Sequence, residues 1–160
     1  MAQQSFQLKG INNVMKNLNR EFQAIQGRSL SGMMAAAAYV RRDMDKTSPT
    51  VPVDYRNLDH SWFIVTAKSS KSTPAFTGDD AEQMAAMHAA IVTESQGIAG
   101  GTKSPVLIMG FSANYAAFVH EMPDTVNWSK AGSGSKFFES AIDRNTAKML
   151  EIIGNYTKTK

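Results

Sequence analysis

Leu58 to Ala67 reads LDHSWFIVTA, and this stretch decides the fold. Trp, Phe, Ile, Val and Thr fit a pleated, buried surface, so the run predicts a strand. Immediately before it, Ser48, Pro49 and Pro52 forbid helix, because each proline lacks an amide donor and restrains its predecessor. Helix is predicted on the far side of that break. Leu30, Met33, Met34, Ala37, Val40, Arg41 and Met44 share one side of a helix that ends by Thr47, with Ser29 or Ser31 as its N-cap. Its small-residue middle, Ala35 to Ala38, lets another element approach closely. A separate, earlier helix is predicted from Ile11, Val14, Met15, Leu18, Phe22 and Ile25, ending near Gly27, with a short opening strand at Ser5 to Leu8.

Beyond the central strand, Lys68 to Thr77 reads as a Ser/Lys/Thr/Pro loop. A helix capped by Asp79 or Asp80 follows, carrying Met84, Met87, His88, Ile91 and Val92, and Gly97, Gly100 and Gly101 end it. Val106 to Phe111 (VLIMGF) is a short apolar run predicted as a second strand. Asn114 to Met122 fits a short helix or an edge strand, and Pro123 to Ser135 is a polar loop. A final helix carries Phe138, Ala141, Ile142, Met149, Ile152, Ile153 and Tyr156 on one face. The expected class is therefore α+β: a small antiparallel sheet packed against two N-terminal helices and a C-terminal helix, with long loops. We expect one domain over residues 1–160, with a flexible or inserted region at about 68–104 and a short basic tail at 157–160.

Composition narrows the chemistry. The chain has 160 residues, 42% of them hydrophobic, enough for one core. It contains no cysteine, which excludes disulfides, thiol catalysis and Cys-type zinc sites. No window approaches a membrane span and no signal-like N-terminus is present, so no membrane partner is expected. Seventeen basic residues against 14 acidic ones give a formal charge of +3, with the cations scattered rather than gathered into a stripe. Charged residues are only 19%, leaving a surface suited to being covered by partners. Ten methionines mostly fall at helical core spacings.

No catalytic constellation emerges. Asp59, His60 and Ser61 have the residue types of a hydrolase triad, but neighbours along a strand face opposite ways. Gly97 to Ser104 (GIAGGTKS) resembles a phosphate loop, yet Thr102 stands where glycine should precede the lysine. His60, His88 and His120 lie far apart, without the spacing of a helical metal site. No catalytic residue, metal or cofactor is expected.

Three segments together resemble the head-to-tail joining, neck and tail-completion proteins of tailed bacteriophages. PVDYRNLDHSW, Pro52 to Trp62, is similar to that family's PVDTGNLRxSW, with Asp54, Asn57 and Leu58 in register; Tyr55 and Arg56 replace its Thr-Gly, and Asp59 replaces its usual basic residue. YAAFVHE, Tyr115 to Glu121, is similar to YAxYVHE and supplies Tyr115, Val119, His120 and Glu121. GSKFFESA, Gly134 to Ala141, is similar to GxxKFLExA through Lys136, Phe137 and Phe138.

The resemblance implies a non-catalytic virion protein at the head–tail junction, assembled in the host cytoplasm. It implies a ring of six or twelve copies, a neck protein or tail terminator, between connector or portal-side neck proteins and the tail tube protein, with genome DNA passing through the lumen without sequence specificity. Ring contacts are expected from the Pro49 to Asn57, Lys68 to Gly78 and Pro123 to Ser135 loops, where Trp128 is a local plug or an anchor in a neighbour. The alternatives are a basic nucleic-acid-binding accessory protein of phage origin, suggested by the pI of 9.2, and a small hydrolase using His120 and Glu121.

Overall fold

The computed structural model describes residues 11–54, 56–123 and 125–158. The expected opening strand at Ser5 to Leu8 lies outside them. The chain is α+β, as its patterning predicts: helix α1 (Ile11–Lys46), a helical turn α2 (Asn57–His60), strands β1 (Trp62–Thr66) and β2 (Ser70–Ser72), helix α3 (Ala81–Gly100), strand β3 (Leu107–Phe111), short helix α4 (Ala116–His120) and helix α5 (Phe137–Thr157). The sheet has the order β2-β1-β3 and is antiparallel throughout. No helix among the described residues is long and apolar enough to cross a membrane.

The two N-terminal helices expected from the sequence are one helix of 36 residues. Gly27 costs roughly 1 kcal/mol in a helix interior, too little to break one held by packing further along. The serines expected as N-caps turn back into the helix instead: Ser29 Oγ donates to the Ile25 carbonyl at 3.0 Å and Ser31 Oγ to the Gly27 carbonyl at 3.0 Å.

The predicted central strand is shorter at its start than its composition suggests. Asn57 to His60 coil into α2, and only Trp62 to Thr66 pair as strand. All five residues of β1 are buried because both faces are covered. On one face Trp62 and Ile64 cluster with Ala37 of α1; on the other, Phe63 meets the His88 ring of α3 edge-on at 6.3 Å. β3 pairs with it in the register Phe63↔Gly110 and Ile64↔Met109, and the Phe63 ring lies over Gly110, 3.5 Å from where a Cβ would stand. β2, in the segment expected to be a loop, completes the other edge. The segment 68–104 thus carries β2 and the 20-residue α3, with His88 and Ser95 buried.

α5 runs antiparallel along α1. At one end Arg144 donates from Nε to Asp43 at 2.6 Å and from Nη2 to the Thr47 carbonyl at 2.9 Å, satisfying the C-terminus of α1. At the other, Gly32 sits so close to α5 that a Cβ would lie 3.0 Å from Tyr156 Cβ and 3.1 Å from Ile153 Cα. Between them Val40, Met44, Phe137 and Ala141 close the core with Val51, Leu58 and Ala113. Fully burying a side chain such as Phe137 contributes about 2–3 kcal/mol.

His88 is the buried titratable group of α3. Ser112 Oγ donates to the Ser61 carbonyl at 3.1 Å, so the 2.7 Å contact between Ser112 Oγ and His88 Nδ1 is donated by the imidazole. Nε2 is then an unprotonated buried atom with no partner among the described residues. Burial lowers the pKa of His88, outweighing the Ser61 carbonyl, which favours the cation.

Two outcomes follow from this packing. Gly32→Leu should lower the unfolding free energy by about 2–3 kcal/mol in denaturant titrations, because the seam has no room for a side chain. For His88 the folded-state pKa is the lower one, so the unfolded chain binds more protons. Its contribution is complete above the unfolded value of about 6.5 and is lost as pH falls below it, and His88→Leu should flatten that part of the stability–pH curve.

Candidate functional site

Two of the three segments singled out in the sequence line one cleft beside the sheet, and the third, Gly134 to Ala141, packs behind it through Phe137 and Ala141. Pro52, Asp54, Asn57 and Leu58 form one wall of a cleft of about 570 Å³; Tyr115 and Val119 form a second, and Trp128 a third. Gly78, Asp79 and Asp80, leading into α3, close the remaining side.

Each wall is held by identifiable bonds. The stretch after α1 is tied back by the Val51 amide on the Met44 carbonyl at 3.1 Å. It pairs with the 123–135 loop through the Thr50 amide on the Gly132 carbonyl at 2.8 Å and a Thr50↔Ser133 bridge. Gly134 is small for a reason: a Cβ there would stand 2.9 Å from Pro49 Cβ. Asn57 uses its side-chain amide as a backbone unit, donating to the Thr77 carbonyl and accepting from the Thr77 amide, both at 2.9 Å. This pins the segment before α3 to the cleft. Trp128 is half-buried, a local wall of the cleft in the described chain.

The turn into α2 carries a conformational mark. Arg56 has φ 64°, in the left-handed region that glycine occupies without cost. It stands where the bacteriophage pattern has glycine. Tyr55 lies outside the described residues.

The remaining residues of the segments lie around this cleft rather than in it. Trp62 faces α1: the Arg41 guanidinium sits 5.4 Å from its ring centroid, and its Nε1 donates to Thr73 Oγ1 at 3.1 Å. Arg41 also pairs with Asp45 and with Asp59. That pair explains the acidic residue at position 59, where the bacteriophage pattern is basic.

His120, Glu121 and Lys136 join α4 to the start of α5. Glu121 accepts from Lys136 Nζ at 2.5 Å and is 2.8 Å from His120 Nδ1, while the Lys136 amide donates to the His120 carbonyl at 2.8 Å. The Lys136 hydrogen bond, helped by His120, holds the Glu121 carboxyl below its ordinary value, and Glu121 in turn raises Lys136. Phe137 is core, edge-on to Phe111 at 5.5 Å and to His120 at 5.1 Å; Phe138 meets Phe111 at 6.1 Å.

The titratable groups of the cleft are the carboxylates Asp54, Asp79 and Asp80, the Arg56 guanidinium and the Tyr115 phenol, raised above its ordinary pKa by burial and by Asp54. Asp59, His60 and Ser61 do not converge. They sit on and after a helical turn rather than in a strand, and their side chains go separately to Arg41, the Thr73 carbonyl and the Leu58 carbonyl. Gly97 to Gly100 belong to the last turn of α3 rather than to a loop. Among the described residues, no three His, Asp or Glu side chains gather as a metal site.

No protein-family model, curated protein or solved structure matches the chain.

The cleft walls were named in the sequence only as separate segments. Thr77 to Asp80, Met122 and Val126 complete them, and no periodic signal joins them to the rest, because nothing in the sequence pairs residue 57 with residue 77. Arg56→Gly should raise stability by about 1 kcal/mol in thermal or denaturant unfolding, since it removes a side chain from left-handed backbone; an unchanged or lowered stability would count against a strained turn.

Proposed function

We propose that this chain is a non-catalytic structural protein of a tailed bacteriophage virion, forming a ring at the head–tail junction as a neck or tail-completion subunit. In that role it joins the connector to the tail tube and encloses a passage for DNA. The observation that carries the reading is that the three resembling segments pack together: two line one cleft, and the third meets them through Phe137 and Ala141 in the core shared with Leu58 and Val119 and through the Lys136–Glu121 pair, with Arg56 left-handed at the position of the pattern's glycine. Chance likenesses scattered over 160 residues have no reason to meet in space.

The rest of the surface suits assembly better than solitude. Large apolar side chains are exposed on α1, α4 and α5, among them Phe22 at 59%, Phe118 at 69% and Leu150 at 66%. His120, Glu121 and Lys136 hold α4 against α5, and the bonds they make account for them without a reaction.

A nucleic-acid-binding accessory role draws on the pI of 9.2 and on the short basic tail. Affinity for duplex DNA that falls steeply with salt would favour it over the ring reading. Electron microscopy and light scattering of concentrated protein should show closed rings, and antibodies to the chain should label the head–tail junction. A strictly monomeric protein absent from virions would overturn the proposal.

A further inference from the structure

The first half of α1 carries an apolar line with nothing against it among the described residues. Ile11, Met15, Leu18, Phe22 and Ile25 recur at alternating steps of four and three, with Val14 beside them, and are 46–65% exposed. Continuing the same steps through Ser29 reaches Gly32 and Ala36. Gly32 meets α5 at Ile153 and Tyr156, and Ala36 is buried at 1% exposure. The exposed line is therefore the extension of the seam that α1 forms with α5, beyond the point where α5 ends at Thr157.

The same chain also carries an apolar concavity. Between α1, β3 and α5 lies an open trough of about 590 Å³, lined by Met33, Leu107, Met109, Ile142, Met149 and Ile153 and floored by Ala36 and Ala37; no lining residue is charged. Its small-residue floor admits a helix, and its walls match the chemistry of the line.

The line and the trough of one chain cannot meet. Both are built on the same continuous helix, with Leu18 and Ala37 about 28 Å apart at 1.5 Å per residue. We infer that the Ile11–Ile25 face of one copy seats in the α1/β3/α5 trough of the next. The contact is heterologous, since two different surfaces are joined, and such contacts build a ring when the rotation between copies closes and an open filament when it does not. The exposed line presents on the order of 600 Å² of surface, near the roughly 800 Å² per partner of a standard interface. The inference rests on the ring reading and supplies its contact between copies.

The chain has no cysteine, so introduced thiols report without background. Leu18→Cys and Ile142→Cys proteins, mixed and oxidised, should form a disulfide between the two variants, and the double variant should give a ladder of covalent multimers. Leu18→Cys paired with Thr93→Cys, on the exposed face of α3, is the control and should not cross-link. In parallel, Leu18→Glu with Phe22→Glu should shift the wild-type oligomer to monomer in sedimentation while leaving thermal unfolding of the folded body unchanged. Dimers of Leu18→Cys with itself, to the exclusion of the mixed pair, would overturn the trough as the seat. Intact rings from the double Glu variant, with no mixed cross-link, would overturn this contact while the ring reading stands. A wild-type chain that is monomeric at every concentration would overturn both.

Discussion

The close approach of α1 and α5 at Gly32 is the constraint on which the rest of the molecule depends. With no Cβ on α1 at that point, the α5 backbone comes within contact distance, and Arg144 fixes the other end of the same seam against the last carbonyls of α1. One rod then serves as spine. Its seam with α5 sets one layer, Ala37 sets the distance to the sheet, and Met44 receives the amide of Val51 as the chain leaves toward the cleft. A larger residue at position 32 would displace both layers together.

The sheet answers a second constraint. With only three strands it cannot enclose a core, so β1 is covered on both faces, by α1 and by α3, and needs an unbroken apolar sequence to survive there. His88 is a buried polar group on the α3 side, accommodated by Ser112 and by the edges of Phe63 and Phe76. The cleft forms where the chain leaves this sandwich at its α2 end. There, side chains and loop amides replace regular ladders: Asn57 bonding Thr77, and Thr50 bridging Ser133.

What was legible in the sequence follows from these facts. The strands at Trp62–Thr66 and Leu107–Phe111 are marked by continuous apolar composition, and the helices α3 and α5 by apolar residues at helical spacing. The division of α1 at Gly27 misread a weak helix former as a stop; packing downstream holds the helix through it. Leu58 to Ser61 were read as strand because their composition continues into Trp62, whereas Arg56 in a left-handed turn starts a helical turn first. The walls of the cleft were named but not joined, since contacts such as Asn57 with Thr77 leave no periodic trace. The trough was invisible for the same reason, being made by three elements far apart in sequence.

The unbroken length of α1 also sets a scale. A lone helix of 36 residues is a rod about 54 Å long at 1.5 Å per residue. Its free face and its seam face lie on one covalent ruler, so whatever docks near Leu18 is held at a distance and azimuth fixed by the turns up to Gly32. Each residue inserted between them would advance the free face by about 1.5 Å and rotate it by roughly 100°. Around Gly27 and Arg28, a change of length would therefore move and turn that face, whereas a change of side chain would leave it in place.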